Sequence, residues 1–104
     1  MRSVSPELAV MQCLDATGRN YAGGIESWVS KESSGVVTIT SGTMDRTLKK
    51  LLDEGTKYIV EDGREPRLGI EGIGGRPRIY YKLTADGKTV LRELREGVRQ
   101  LFAF

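Results

Sequence analysis

The chain contains no histidine and a single cysteine, Cys13. A tetrahedral zinc site, a disulfide, a Cys–His pair or a Ser–His–Asp triad therefore cannot be assembled within one copy, so most catalytic chemistry is excluded and no cofactor is expected. Prolines are few, three in 104 residues. With 38% apolar and 29% charged residues, the composition is that of one small folded domain, not a disordered tail or a fibre. No apolar run approaches the ~18 residues of a membrane span, and Met1 to Pro6 has no charged segment leading into an apolar signal core. The expectation is a cytoplasmic protein without a membrane partner, with Cys13 reduced and packed as a small core residue. Charge of one sign is lacking as well. Sixteen Lys and Arg against fourteen Asp and Glu leave +2, too little to argue for a nucleic-acid partner, so the case depends on where the charges lie.

What is present reads as a sequence of short elements. Ser5-Pro6-Glu7 is a helix start, with a hydroxyl cap, a proline where no N–H partner is needed and an acid in the first turn. Leu8, Met11 and Leu14 then recur at helical spacing until Gly18, predicting a helix over 6–17. Residues 20–24 read as a loop, and Ile25, Trp28 and Val29 mark one face of a second helix reaching Glu32. Val36 to Thr40 is a β-branched run of strand length. Ser41 or Thr43 caps a third helix, 42–54, whose Met44, Leu48, Leu51 and Leu52 form an apolar stripe before Gly55. Lys57–Glu61 and Arg78–Leu83 are strand-like and flank a glycine-rich stretch, predicting a hairpin with an oversized tip. Thr84 caps a last helix, 85–102, in which Gly87 and Gly97 look like weak points.

Helix, helix, short strand, helix, two-stranded hairpin, helix is the order of a winged helix-turn-helix, an α+β fold whose third helix enters a DNA major groove while the hairpin tip meets the backbone or a minor groove. The charge map agrees. Residues 1–41 hold three bases and four acids, whereas Arg76, Arg78 and Lys82 follow Glu71 with no intervening acid.

Two blocks resemble a family. Ser41-Gly42-Thr43-Met44-Asp45-Arg46-Thr47-Leu48-Lys49-Lys50-Leu51, ending at Gly55, resembles the recognition helix of PadR-type transcriptional regulators. Gly74-Gly75-Arg76-Pro77-Arg78-Ile79-Tyr80-Tyr81-Lys82-Leu83-Thr84, followed by Gly87, resembles their second wing strand running into the last helix. The chain departs from the family pattern at Asp45, where an aromatic is usual, and at Tyr21-Ala22-Gly23, where the family has Tyr-Gly-Tyr. The resemblance implies a homodimeric DNA-binding regulator, with residues 1–84 as the winged-helix part and 85–104 as a dimerisation helix of the same domain. It also implies that Tyr21, Trp28, Tyr80 and Tyr81 are candidates to line a pocket for a small aromatic effector, against plain core packing.

The candidate DNA contacts follow from the helical period. With the apolar stripe inward, Gly42, Asp45, Arg46 and Lys49 face outward. Arg46 has no acid at i±4, whereas Lys49 has Asp45 and Asp53 and Lys50 has Glu54. Thr43, Arg46, Lys49 and Lys50 on the helix and Arg76 and Arg78 on the wing (62–78) are the expected contacts to double-stranded DNA. Gly75-Arg76-Pro77-Arg78 also resembles the core of a minor-groove AT-hook. Val90, Leu91, Leu94, Val98, Leu101 and Phe102 form the apolar stripe expected to join two copies. Two alternatives stand beside transcriptional regulation: a winged helix used as a protein-interaction module, and a DNA-binding protein of plasmid or viral replication or partition.

Overall fold

The structure, a computed structural model, describes residues 5–65 and 78–101, with side chains of the last helix through Glu96. Helix α1, Pro6–Thr17, starts where the sequence says it does: the Ser5 Oγ accepts from the Leu8 amide at 3.1 Å. It stops at Gly18, whose φ of 84° suits glycine and whose N–H caps the Leu14 carbonyl. A two-residue strand β1, Asn20–Tyr21, leads into α2, Ala22–Glu32, and then α3, Ser41–Leu52. The wing is β2, Ile59–Glu65, and β3, Arg78–Leu83, followed by α4, Ala85–Leu101. The antiparallel sheet has the order β1-β3-β2, with Tyr21 opposite Tyr80 and Ile59 opposite Leu83.

The α+β winged-helix architecture is thus present, but its third strand is Asn20–Tyr21 and not Val36–Thr40. The β-branched run is unpaired because Ser33, at the end of α2, intercepts it. The Ser33 Oγ accepts from the Val37 amide at 2.9 Å and donates to the Val29 carbonyl at 2.8 Å, satisfying locally an N–H that a strand would place in a ladder. Val36 is left 79% exposed, while Ile39 is buried and Val37 packs against the core. Boundaries also move: residues 20–24, expected as a loop, are β1 and the first turn of α2, and α3 ends at Leu52 and not at residue 54. Thr40, not Ser41 or Thr43, caps α3, its Oγ1 accepting from the Thr43 amide. Strand β2 begins at Ile59, not Lys57, because Lys57 takes a φ of 49° in a turn whose N–H bonds return to Asp53 and Leu51. It then continues past Glu61 through a bulge to Glu65.

The core lies between α1, α2, α3 and the inner face of the sheet. Leu14, Ile25, Met44, Ile59 and Leu91 are fully buried there, with Cys13 beside them. Burial pushes the Cys13 thiol up, against smaller lowering effects from Thr17 and Asn20, which keeps it protonated near neutral pH. Helix α4 packs on α1 and is tied to it by Arg95 and Asp15, 3.1 Å apart. Leu91, expected in the inter-subunit stripe, is instead taken up by the protomer's own core, and Val90 packs against that core. Leu94 remains 47% exposed. The Val98 and Leu101 side chains and Phe102 lie outside the described residues.

Candidate nucleic-acid interface

Helix α3 presents one buried and one open face, as its spacing requires. Met44, Thr47, Leu48 and Leu51 are buried, and Gly42, Asp45, Arg46, Lys49 and Lys50 are exposed. Thr47 is a polar residue within the apolar stripe, accommodated because its Oγ1 donates to the Thr43 carbonyl one turn back at 2.7 Å. Pro6 and Glu7 of α1 and Thr43, Arg46, Lys49 and Lys50 of α3 line an open cleft of about 580 Å³. Four of the six expected contact residues are therefore gathered in one place.

Their partners differ from the local pairs that the sequence suggests. Arg46 Nη2 donates to the Thr43 Oγ1 at 3.3 Å, and the Thr40 hydroxyl donates to that same oxygen at 3.0 Å. Thr43 Oγ1 therefore sits between the Thr40 hydroxyl and the Arg46 guanidinium at the exposed start of the helix. Lys50 does not pair with Glu54: its Nζ lies 3.4 Å from the Glu7 Oε1 at the start of α1. Among the described residues no carboxylate comes within ion-pair distance of Arg46 or Lys49. Asp53, four residues after Lys49, instead accepts from the Gly55 amide at 2.8 Å. Glu7 and Asp53 line the same cleft, which thus offers two cations in no ion pair among the described residues, a third paired with Glu7, and the Thr43 hydroxyl. An anionic, hydrogen-bond-accepting surface such as a nucleic-acid backbone is its chemical complement.

On the wing, Arg76 lies outside the described residues. Arg78 is on the outer face of the sheet, its guanidinium carbon 4.5 Å from the centre of the Tyr21 ring. The basic excess expected there is partly met, since Lys82 lies 3.8 Å from Asp62 across the strands and Arg64 pairs with Glu61 within β2. The four aromatics considered for an effector pocket do not converge. Tyr21 and Tyr80 pack edge to face at 5.6 Å on the outer sheet face, Tyr81 belongs to the core, and Trp28 lines a separate groove of about 170 Å³ with Ala9, Val29 and Val37. The Tyr80 hydroxyl donates to Glu65 at 2.6 Å, and this bond to a carboxylate raises the phenol's pKa. Glu7 and Arg19 are the residues that sequence reasoning missed. Each meets its partner only across the fold, so local spacing carries no signal of either.

No protein-family model and no curated protein matches the chain. Solved structures do. A PadR-like transcription factor from Bacteroides fragilis is 27% identical, with 91% of this chain and 81% of that one covered at a TM-score of 0.68. PadR of Bacillus subtilis, solved in complex with operator DNA, is 25% identical at a TM-score of 0.64. The match covers 85% of this chain and 45% of that one, so this chain spans less than half of that regulator. A transcriptional regulator from Clostridium thermocellum, 20% identical over 95% of this chain and 93% of its own, shares the fold at a TM-score of 0.64. Element order, sheet topology, the two sequence blocks and these likenesses together make the chain a winged helix-turn-helix protein similar in structure to PadR-like transcription factors.

Proposed function

We propose that the protein binds double-stranded DNA sequence-specifically, as a homodimeric transcriptional regulator, with α3 in the major groove and the wing on the backbone or a minor groove. The observation that carries this reading is the exposed face of α3, where Arg46 and Lys49 form no ion pair among the described residues and the Thr43 hydroxyl lies beside Arg46. The operator DNA held by the Bacillus subtilis relative supports the choice of ligand. Two α3 helices related by a two-fold axis would read half-sites about one helical turn apart. The exposed Leu94 on α4 supplies the start of an apolar contact between copies. The test is a salt titration of the wild-type protein on duplexes it selects from a random library. Affinity is expected to fall linearly on a log–log plot as phosphate-bound counterions are released. Absence of selection, or affinity indifferent to salt, overturns the reading in favour of a protein-interaction module.

A further inference from the structure

The outer face of the sheet carries a set of contacts that the DNA-binding reading leaves unused. Along β3, Ile79, Tyr81 and Leu83 turn toward the core, so Arg78, Tyr80 and Lys82 share the opposite face. Arg19, between α1 and β1, reaches across this face to β2. Its Nη2 donates to the Asp62 carbonyl oxygen at 2.7 Å, and its Nε lies 3.4 Å from the Asp62 carboxylate. Its guanidinium carbon stands 4.1 Å from the centre of the Tyr80 ring. Asp62 is the first residue of the β2 bulge: between the pairs Glu61–Tyr81 and Arg64–Ile79, Asp62 and Gly63 face Tyr80 alone. Gly63 has a φ of 104°, and a Cβ added there would lie 3.0 Å from the Arg19 Nη2. A bulge bends its strand and increases the local twist. Whatever fixes its geometry also fixes how the pairs beyond it, Arg64–Ile79 and Glu65–Arg78, leave the body.

We propose that Arg19 is a positioning residue for DNA binding, a bracket that holds the Asp62–Gly63 bulge in one geometry and so sets the angle of the wing. The proposal rests on the DNA-binding reading. The contacts favour a bracket over a phosphate ligand. Arg19 shares the Asp62 carboxylate with Lys82, and its planar fork bonds β2 at the edge while its face covers Tyr80, a combination a lysine cannot reproduce. Tyr80 is itself fixed from two sides, by its hydrogen bond to Glu65 and its edge-to-face contact with Tyr21. Arg78 covers the far ring of that pair. One continuous stack therefore runs from the bulge to an arginine expected to meet DNA.

Arg19→Lys and Arg19→Gln test this, since Arg19 is half exposed and outside the core. Two quantities are read: hydrogen exchange at the amides of Gly63, Arg64 and Glu65 in the free protein, with α3 as the internal reference, and affinity for a duplex selected by the wild type from a random library. Both variants are expected to speed exchange at the bulge about tenfold with α3 unchanged, and to weaken binding about three- to tenfold, Lys faring no better than Gln. Wild-type affinity in Arg19→Lys, or unaltered exchange at the bulge in both variants, overturns the proposal. If the wild type selects no duplex, the DNA-binding reading falls, and the exchange measurement still decides whether Arg19 holds the bulge.

Discussion

Arg46 Nη2 and Thr43 Oγ1 lie 3.3 Å apart on one turn of α3. The bond steers the guanidinium along the exposed face of the helix and uses one of its five donors, so a bidentate pair of N–H groups remains for a guanine edge. Arg46→Ala is expected to weaken specific DNA binding by about 1–3 kcal/mol and to relax preference at one base position. Thr43→Val, which keeps the shape and removes the hydroxyl, is expected to lose about 1 kcal/mol. Competition against single-base variants of a selected duplex measures both. Unchanged affinity and preference in Arg46→Ala at low salt would remove this residue from the interface.

Glu7 places a negative charge in the cleft and occupies Lys50. Both side chains are substantially exposed, so the pair contributes less than about 1 kcal/mol to stability. For a phosphate backbone the same carboxylate is a repulsion and a competitor. Glu7→Gln is therefore expected to tighten DNA binding about two- to fivefold at low ionic strength, with the gain shrinking as salt screens it. Lys50→Ala is expected to weaken binding while the melting temperature barely moves. Anisotropy titrations at two salt concentrations decide the matter, and weaker binding by Glu7→Gln would contradict it.

The parts of this fold that were legible in the sequence are those specified by neighbours along the chain. Ser5-Pro6 marks the start of α1, the strand-forming Ile79, Tyr80 and Tyr81 place β3, and the 3.6-residue spacing from Met44 to Leu51 identifies the open face of α3. The illegible parts are specified from afar. Asn20–Tyr21 is a strand only because Tyr80–Tyr81 lies alongside it, and the strand propensity of Val36–Thr40 yields to one serine hydroxyl. The cleft was half legible for the same reason. Arg46 stood out by lacking a local acid, whereas the true partner of Lys50 sits on α1, and the Arg19 bracket joins residues 43 positions apart.

Gly87 looks like a defect in a helix, and the packing gives it a purpose. A Cβ there would collide with the Tyr58 carbonyl oxygen and approach Leu83 Cδ2 to 3.2 Å, because the first turn of α4 lies directly on the chain entering β2. The Gly87 amide also bonds the capping Thr84 Oγ1 at 2.9 Å. Gly87→Ala is expected to destabilise the protein by about 2 kcal/mol or more, since backbone cannot yield as a side chain can. Gly42 is the control. Nothing lies within 4 Å of its Cβ position, so Gly42→Ala is expected to stabilise by about 0.5 kcal/mol through helix propensity. Urea denaturation of the two variants measures the contrast, and equal stabilities would refute this account of Gly87.

The two leucines of α4 separate folding from assembly. Leu91 is 1% exposed and belongs to the core, whereas Leu94, three residues on, is 47% exposed. On the homodimer reading, Leu94 is covered by a second copy, and a charge there should break the contact without disturbing the fold beneath. Leu94→Glu is expected to sediment as a folded monomer with far weaker binding to a two-fold symmetric duplex, since one recognition helix alone forfeits the second half-site. Leu91→Glu is expected to unfold the protein instead, because it buries an unpaired carboxylate among apolar side chains. Far-ultraviolet circular dichroism and sedimentation velocity distinguish these outcomes. A wild-type protein that is already monomeric at tens of micromolar would sink the dimer, leaving Leu94 as an isolated apolar residue of the kind any small protein surface tolerates.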